Sequence, residues 1–324
     1  MSTPDPLIGS ILGDDFRVVR QVAFGGYARV YAAEQLSVGR RAVAVKVLHA
    51  VHSEVATAVA AIKREAAYLA ILHSPCFPRI LRTGVAPSGA PYFVMEFVQG
   101  RTLEAVLKEA GRLPVDRAVA VMDDVCEGVC EMHQRDILHR DIKCGNIAVE
   151  ETRGIAFHAR LFDLGSAKPA YDQEGTSTRT VAQVGSPPYL APETVASGTT
   201  NELTDQYALG AVAYEALCGT RAVHMKDTTP EAYFAYLKSN QPIPTFRLGT
   251  IQPDVPEAVE LVVQRALSRD PAARFSSVLE FRQSLVQAAG RIGSTRRDAP
   301  PAGKTDPKPH QSFIGRARNA LKRS

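Results

Sequence analysis

The octet His139-Arg140-Asp141-Ile142-Lys143-Cys144-Gly145-Asn146 places three kinds of reactive group within a few residues of one another. A carboxylate (Asp141) can orient an attacking hydroxyl, an ammonium (Lys143) can neutralise a phosphoryl group in transfer, and an amide oxygen (Asn146) can bind Mg²⁺. Seventeen residues beyond Asn146, Asp163-Leu164-Gly165 offers a second metal-binding carboxylate on a flexible turn. Far upstream, Val43-Ala44-Val45-Lys46 ends an alternating run on an ammonium that could pair with phosphate oxygens. Glu65, in Lys63-Arg64-Glu65-Ala66, could hold that ammonium in place. Taken singly, Lys46 and Glu65 read as well as solvated surface charges. The octet does not.

Groups so far apart need a fold to bring them together. Phe16 to Val22 and Arg29 to Ala33 flank a glycine-bearing turn and read as strands, as does Arg41 to Leu48. Ala, Val and Leu at helical spacing predict a helix from about Ser53 to Leu72, which Pro75 and Pro78 stop. A strand pair closes near Tyr92 to Val98. After Gly100 the pattern turns helical, over Leu103 to Glu109 and Val115 to His133. A short strand region spans Ile137 to Asp163, a loop rich in Gly, Ser, Thr and Pro runs to Pro192, and helices fill most of Asn201 to Gly290. Strands first and helices afterwards predict an α+β fold with two segregated lobes. The expected organisation is an N-terminal extension over 1–15, a β-rich lobe with one helix over 16–97, a helical lobe over 98–290, and a tail over 291–324.

Composition bounds this reading. The 324 residues are 45% hydrophobic and 22% charged, ample for a core. The net charge of +4 is uneven: from Arg291 onward there are nine Lys/Arg and two Asp/Glu, so the rest is slightly acidic. Lacking periodicity until its last dozen residues, that tail is expected to be disordered. The five cysteines, Cys76, Cys126, Cys130, Cys144 and Cys218, have no paired spacing and no nearby His/Cys pair to complete a zinc site, so buried reduced thiols are expected. No charged-then-apolar leader opens the chain. The longest apolar run, around Ala208 to Cys218, contains Glu215 and falls short of a membrane span. A cytoplasmic, soluble protein is expected.

In this order, VAVK, the helix Glu, HRDIKCGN, DLG and Ala191-Pro192-Glu193 resemble the signatures of eukaryotic-like (Hanks-type) serine/threonine protein kinases, especially the bacterial branch, over about residues 10 to 290. Asp205, in Asp205-Gln206-Tyr207-Ala208-Leu209-Gly210, matches that family's buried helix aspartate, and Arg274 the arginine that pairs with the glutamate here at Glu193. The resemblance implies the two-lobed kinase fold, with ATP between the lobes and Mg²⁺ (or Mn²⁺) as its metal. Lys46, tethered by Glu65, would hold the α- and β-phosphates, Asn146 and Asp163 the metal. Asp141 would aim the hydroxyl and accept its proton, and Lys143 would stabilise the γ-phosphoryl group. Ala23, Gly25, Gly26, Val30, Ala44 and Ala148 would line the nucleotide site. Met95 would be the gatekeeper, and Glu96 to Val98 the hinge that bonds adenine.

The chain also departs from the family. Of its three loop glycines only the middle one survives: they fall at Ala23, Gly25 and Ala28, with Gly26 adding some freedom. Cys144 stands where proline is common, and Ala148 where the adenine floor carries a larger aliphatic, which implies a roomier floor. Glu151-Thr152-Arg153-Gly154 turns a hairpin a few residues long. Lys143 and Ser186 favour Ser/Thr over Tyr acceptors in the resemblance, with the Ser186 hydroxyl bonding Asp141 and Lys143. Arg140 would grip a phosphorylated activation loop, in which Thr176, Ser177, Thr178 and Thr180 are candidates; Thr178-Arg179-Thr180 resembles the twin autophosphorylation threonines of bacterial kinases. The same hydroxyls also read as plain loop solvation.

Gly303-Lys304-Thr305 mimics the end of a phosphate-binding loop, but Asp298 stands where its leading glycine belongs. Wound as a helix, the last dozen residues put Phe313, Ile314, Ala317, Ala320 and Leu321 on one arc, opposite Arg316, Arg318, Lys322 and Arg323. Such a segment could meet an anionic membrane, the kinase body or nucleic acid, or remain a solvated basic tail. The expected partners are protein substrates. The competing readings are a pseudokinase acting as a binding module, favoured by the worn glycine loop, and a small-molecule kinase, which would not need Pro192-Glu193 and Arg274.

Overall fold

The computed structural model describes residues 5–152, 156–170, 186–223, 225–239, 249 and 252–296. The chain divides into two units, Met1–Gly290 and Arg291–Ser324. The activation-loop candidates Thr176, Ser177, Thr178 and Thr180, Arg153 and Gly154 of the expected hairpin turn and the amphipathic C-terminal segment lie outside the described residues, while Glu151 and Thr152, expected in that turn, continue a strand instead.

The N-terminal lobe is a six-stranded antiparallel sheet with the spatial order β1-β2-β3-β4-β6-β5. The strands are β1 (Ile11–Leu12), β2 (Phe16–Phe24), β3 (Ala28–Gln35), β4 (Arg41–Leu48), β5 (Ile80–Val85) and β6 (Pro91–Glu96). The alternation in β4 decides which residues go where. Val43, Val45 and Val47 point to one face and pack with Phe16, Val18, Tyr31, Tyr92 and Val94 in a small core of their own. Leu48 and Phe93 face the other way, into the main core, where they meet Ala58, Ile62, Ala66 and Leu69 of helix α1 (Ala56–Ile71). Lys46 shares that second face. Residues 5–15, expected as an extension, are built into the sheet: β1 pairs with β2, Leu12 is buried, and the Asp5 carboxylate accepts from Arg29 and the Tyr31 hydroxyl.

Helix α1 begins three residues later than the periodicity predicts, because Ala50–His52 forms a 3₁₀ turn first. Its buried residues, Ala58, Ile62, Glu65, Ala66 and Leu69, follow i, i+3/i+4 spacing, so a glutamate lies on the inward stripe. The strand pair expected to close near Tyr92 to Val98 is β5 with β6.

The second lobe is organised by α3 (Val115–His133) and α5 (Glu202–Cys218). Helix α5 is apolar nearly all round, and it is buried nearly all round. Asn201 caps its start in a capping box with Thr204, and Gly219 ends it in the left-handed region. Against these pack a three-stranded sheet ordered β10-β9-β7 and the pair β8–β11. Their ranges are β7 (Arg101–Thr102), β8 (Ile137–Leu138), β9 (Ile147–Thr152), β10 (Ala156–Leu161) and β11 (Lys168–Pro169). The HRDIKCGN segment is therefore the link between β8 and β9, and Asp163 follows β10. Helices α2 (Leu103–Ala110), α4 (Pro192–Ser197), α6 (Pro230–Lys238), α7 (Glu257–Ala266) and α8 (Val278–Arg296) complete the described part.

Candidate active site

Lys46 is the meeting point of three elements. Its Nζ donates to both carboxylate oxygens of Glu65 on α1 (2.7 and 2.8 Å) and to Asp163 Oδ1 after β10 (2.9 Å). Burial alone would lower the lysine pKa, but Glu65 and Asp163 raise it above its ordinary value, so the ammonium stays charged. Burial would likewise raise Asp163, yet the ammonium beside it holds the carboxyl below the usual range. Asp163 sits in the left-handed region (φ 67°), which turns its side chain back toward the lysine. On the same sheet face, Val30 lies directly across from Lys46, and Ala44 lies across from Met95. Glu96 ends β6, so the expected hinge Glu96 to Val98 follows the strand paired with β4. Ala148, on β9, is buried between Thr102 and Arg160 in the ladder.

Both oxygens of Asp141 are spoken for. Oδ2 accepts from Lys143 Nζ (2.7 Å) and Asn146 Nδ2 (3.1 Å), and Oδ1 accepts from Ser186 Oγ (3.2 Å). Asn146 Nδ2 also donates to the Asp141 carbonyl (2.8 Å), which leaves its Oδ1 as the atom available to a cation. The backbone N–H of Phe162 donates to Asn146 O (3.0 Å), so the strand leading to Asp163 runs beside Asn146. Among the described residues no group of three His, Cys, Asp or Glu side chains could hold a metal alone. Two hard oxygen donors, an amide and an ionised carboxylate, fit a Mg²⁺ ion whose remaining ligands come from phosphates and water.

Buried polar groups hold this loop from behind. Asp205, on α5, accepts from the backbone N–H of His139 and of Arg140 and bonds His133 Nε2, each at 2.9 Å. Burial would raise its pKa, but the bond from His133 and the two amides keep it low. These amide bonds pin Arg140 at φ 66°, a conformation L-residues rarely adopt, directly before Asp141. The Asp141 N–H donates to His139 Nδ1 (3.3 Å), which requires a neutral ring, and burial pushes the His139 pKa down accordingly. Cys144 is fully buried, its thiol pushed well up by burial, next to the Tyr189 hydroxyl, which donates to Glu215 (2.8 Å). Arg274 forks onto both oxygens of Glu193 (2.7 and 2.8 Å) and donates to the carbonyls of Leu203 and Ser268.

Some of these contacts have no signal in the sequence. His133 is merely the last residue of α3, and its partner Asp205 is remote in the chain. Arg160 reaches Glu96 (3.0 Å) and Glu150 (3.4 Å) behind the hinge, and Arg64 Nε donates to the Ala167 carbonyl (3.2 Å). The hydroxyl of Ser186 meets Asp141, while Lys143 turns to the other oxygen of that carboxylate. An apolar groove of about 640 Å³, lined by residues such as Ile62, Ala66, Thr83 and Tyr92, lies between α1, β5 and β6 and includes none of the site residues.

A β-rich lobe carrying a Lys–Glu pair on strand and helix, set against a helical lobe with an Asp–Lys–Asn loop and a further Asp, defines the protein kinase fold. The chain belongs to the protein kinase domain family, whose model matches residues 16–287. It is 31% identical over 290 residues to the serine/threonine-protein kinase PknB of Mycobacterium tuberculosis, covering 89% of this chain and 44% of that protein. To the serine/threonine-protein kinase Pkn1 of Myxococcus xanthus it is 34% identical over 300 residues, covering 92% and 42%. The chain thus spans less than half the length of these curated relatives. Its fold matches the crystal structure of the Mycobacterium tuberculosis PknI kinase domain with a TM-score of 0.63 at 24% identity, over 87% of this chain and 99% of that one. These curated relatives are bacterial serine/threonine protein kinases. Among the described residues, no helix is long and apolar enough to cross a membrane.

Proposed function

We propose that this chain transfers the γ-phosphate of ATP, bound with Mg²⁺, to serine or threonine hydroxyls of proteins, and that Thr178 and Thr180 are its own first acceptors. The observation that carries the reading is the double engagement of Lys46 with Glu65 and Asp163, which joins strand, helix and loop at one charged point. Bound Mg-ATP would supply the phosphoryl group and neutralise its developing charge. Lys46 would bind the α- and β-phosphates, and Asn146 Oδ1 and the Asp163 carboxylate would hold the metal.

Asp141 has one job that its surroundings suit. A neutral alcohol hardly ionises near neutral pH, so the carboxylate aims the hydroxyl and takes its proton late. Lys143 and Asn146 fix one oxygen, so the other, which meets Ser186, faces the acceptor side. Lys143, already beside that carboxylate, is placed to neutralise the phosphoryl oxygens.

The test is to incubate purified chain with Mg²⁺ and γ-labelled ATP, alone and with a generic Ser/Thr protein acceptor. Wild type should label itself and the acceptor, and intact mass should show added phosphates that the Asp141→Asn variant lacks. Nucleotide retention without label on any protein would replace this reading with a binding module, the role that the worn glycine loop favours. Equal masses for wild type and variant would remove autophosphorylation alone.

A further inference from the structure

The lid expected over the phosphates is short of glycine, and the structure shows what holds it instead. The β2–β3 hairpin closes with Phe24 opposite Arg29, and the Gly25 N–H donates to the Ala28 carbonyl (2.9 Å). Ala23 and Ala28 belong to the strands, so conformational freedom is confined to Gly25, Gly26 and Tyr27. Neither glycine needs the left-handed region. What position 25 needs is the missing side chain, since a Cβ there would come within 3.2 Å of the Ala28 carbonyl oxygen.

One residue grips both arms of this turn. His49, immediately after β4, donates its backbone N–H to the Tyr27 carbonyl (2.8 Å), and its ring Nε2 lies 2.8 Å from the Gly25 carbonyl. A carbonyl only accepts, so the ring must carry a hydrogen on Nε2, as the neutral Nε2–H tautomer or the imidazolium. The Phe24 ring lies 4.8 Å from the His49 ring, and the Tyr27 ring lies 5.3 Å from that of His52. Yet Phe24 and Tyr27 remain 67% and 61% exposed, so buried apolar area does little to hold the turn and the hydrogen bonds matter more. Lys46 lies on β4 three residues before His49, which directly follows the strand. The chain that aims the lysine therefore runs straight on into the residue that holds the turn.

We propose that His49 is a positioning residue for the nucleotide: its imidazole latches the Gly25 carbonyl and so pre-orders a lid that has too few glycines to settle around phosphates unaided. The inference rests on reading Gly25 and Gly26 as that lid. A turn ordered before binding loses less conformational entropy when the nucleotide arrives. One net hydrogen bond corresponds to about five-fold in an equilibrium constant.

The experiment uses the full chain with two variants, His49→Phe, which keeps a ring beside Phe24 but no donor, and His49→Gln, which keeps a donor without the ring. Two readouts are taken: amide hydrogen exchange over residues 22–31 without nucleotide, and KM for ATP against kcat. His49→Phe should speed exchange in that segment and raise KM about five-fold with kcat within about two-fold; His49→Gln should restore most of both. Unchanged exchange and KM in His49→Phe, or a His49→Gln that behaves like it, overturns the latch. Faster exchange with unchanged nucleotide affinity overturns its role in positioning. If wild type transfers no phosphate, the proposed function fails by itself, and exchange with equilibrium ATP binding still decides the latch.

Discussion

Replacing Asp205 by asparagine should damage the catalytic loop from behind without touching any group that meets substrate. The carboxylate is 2% exposed and serves three donors, two on Oδ2 and one on Oδ1. An amide turns one oxygen into a donor. Set at the Oδ2 position, it would confront both the His139 N–H and His133 Nε2; set at Oδ1, only the Arg140 N–H. The second orientation costs less, leaving one buried backbone donor unsatisfied, about 1–3 kcal/mol. The other two bonds lose their charge assistance, about 1 kcal/mol more. A total of about 2–4 kcal/mol is a large share of a domain's 5–15 kcal/mol. The freed amide is that of Arg140, which no longer needs φ 66°, so the chain relaxes at the residue before Asp141. A displacement of about 1 Å there would lower kcat about 10²-fold, while KM for ATP, set largely in the other lobe, changes little.

The assays are urea unfolding and phosphotransfer by purified Asp205→Asn beside wild type. The pH dependence has a definite sign. The Asp205 pKa is depressed in the folded state, so its stabilisation is complete above the unfolded value of about 3.9 and is lost as pH falls through the lower folded value. The stability gap between wild type and variant should therefore narrow only in strong acid. An equal unfolding midpoint refutes the hydrogen-bond argument, and a destabilised variant with unchanged kcat refutes the strain argument.

Arg274→Met should lose about 3–5 kcal/mol in denaturant unfolding, because Glu193 is left unpaired and the carbonyls of Leu203, Ser268 and Arg269 each lose a donor; adding Glu193→Gln should recover part of this, and independent, additive losses would contradict the fork. Wild type should accept ATP analogues with bulkier bases better than Ala148→Leu does, since a leucine would fill the space next to Thr102 and Arg160; equal preference removes the roomy floor. Burial pushes the Cys76 thiol up to about 12, and Cys126 and Cys144 well above the ordinary value, so all three stay protonated near pH 8. Iodoacetamide should modify these three slowly in folded protein and fully in urea, read by peptide mass; rapid labelling of the folded form would contradict their burial.

What was legible in the sequence was whatever repeats at short range or comes as a contiguous motif. The bounds of α3 and β4 agree with their apolar patterns to the residue, because each has one clean periodicity and a clear stop. The start of α1 does not, since nothing in His49 to Val55 separates a 3₁₀ turn from a helix. Lys46, Glu65, Asp141, Asn146 and Asp163 were legible as a set, and the structure brings Lys46 onto both Glu65 and Asp163, and Asn146 onto Asp141. The positioning contacts were not. His133 to Asp205, Arg160 to Glu96 and His49 to Gly25 each join an ordinary polar residue to a remote one, and nothing local separates His133, Arg160 or His49 from solvated surface. Glu65 carries the same ambiguity in sequence; only its place on the buried stripe of α1 separates it from a surface glutamate.

Exposure is graded along the site, and the gradient has a physical reason. The groups that hold others are the driest: Arg274 has no exposed side-chain area, Asp205 almost none, and Glu65 4%. The charged groups assigned to meet the nucleotide or acceptor are wetter, from Asp141 at 12% and Lys46 at 14% to Asp163 at 46%, while the neutral Asn146 amide stays buried. A buried ion pair contributes little net stability over an apolar pair, because desolvation offsets most of the attraction. Removing one partner, by contrast, leaves a charge that the interior cannot tolerate. Such pairs therefore resist alternative arrangements more than they add to stability. That property suits residues that must hold a strained Arg140 or a tethered Lys46 in one place while the reacting groups stay open to exchange ligands.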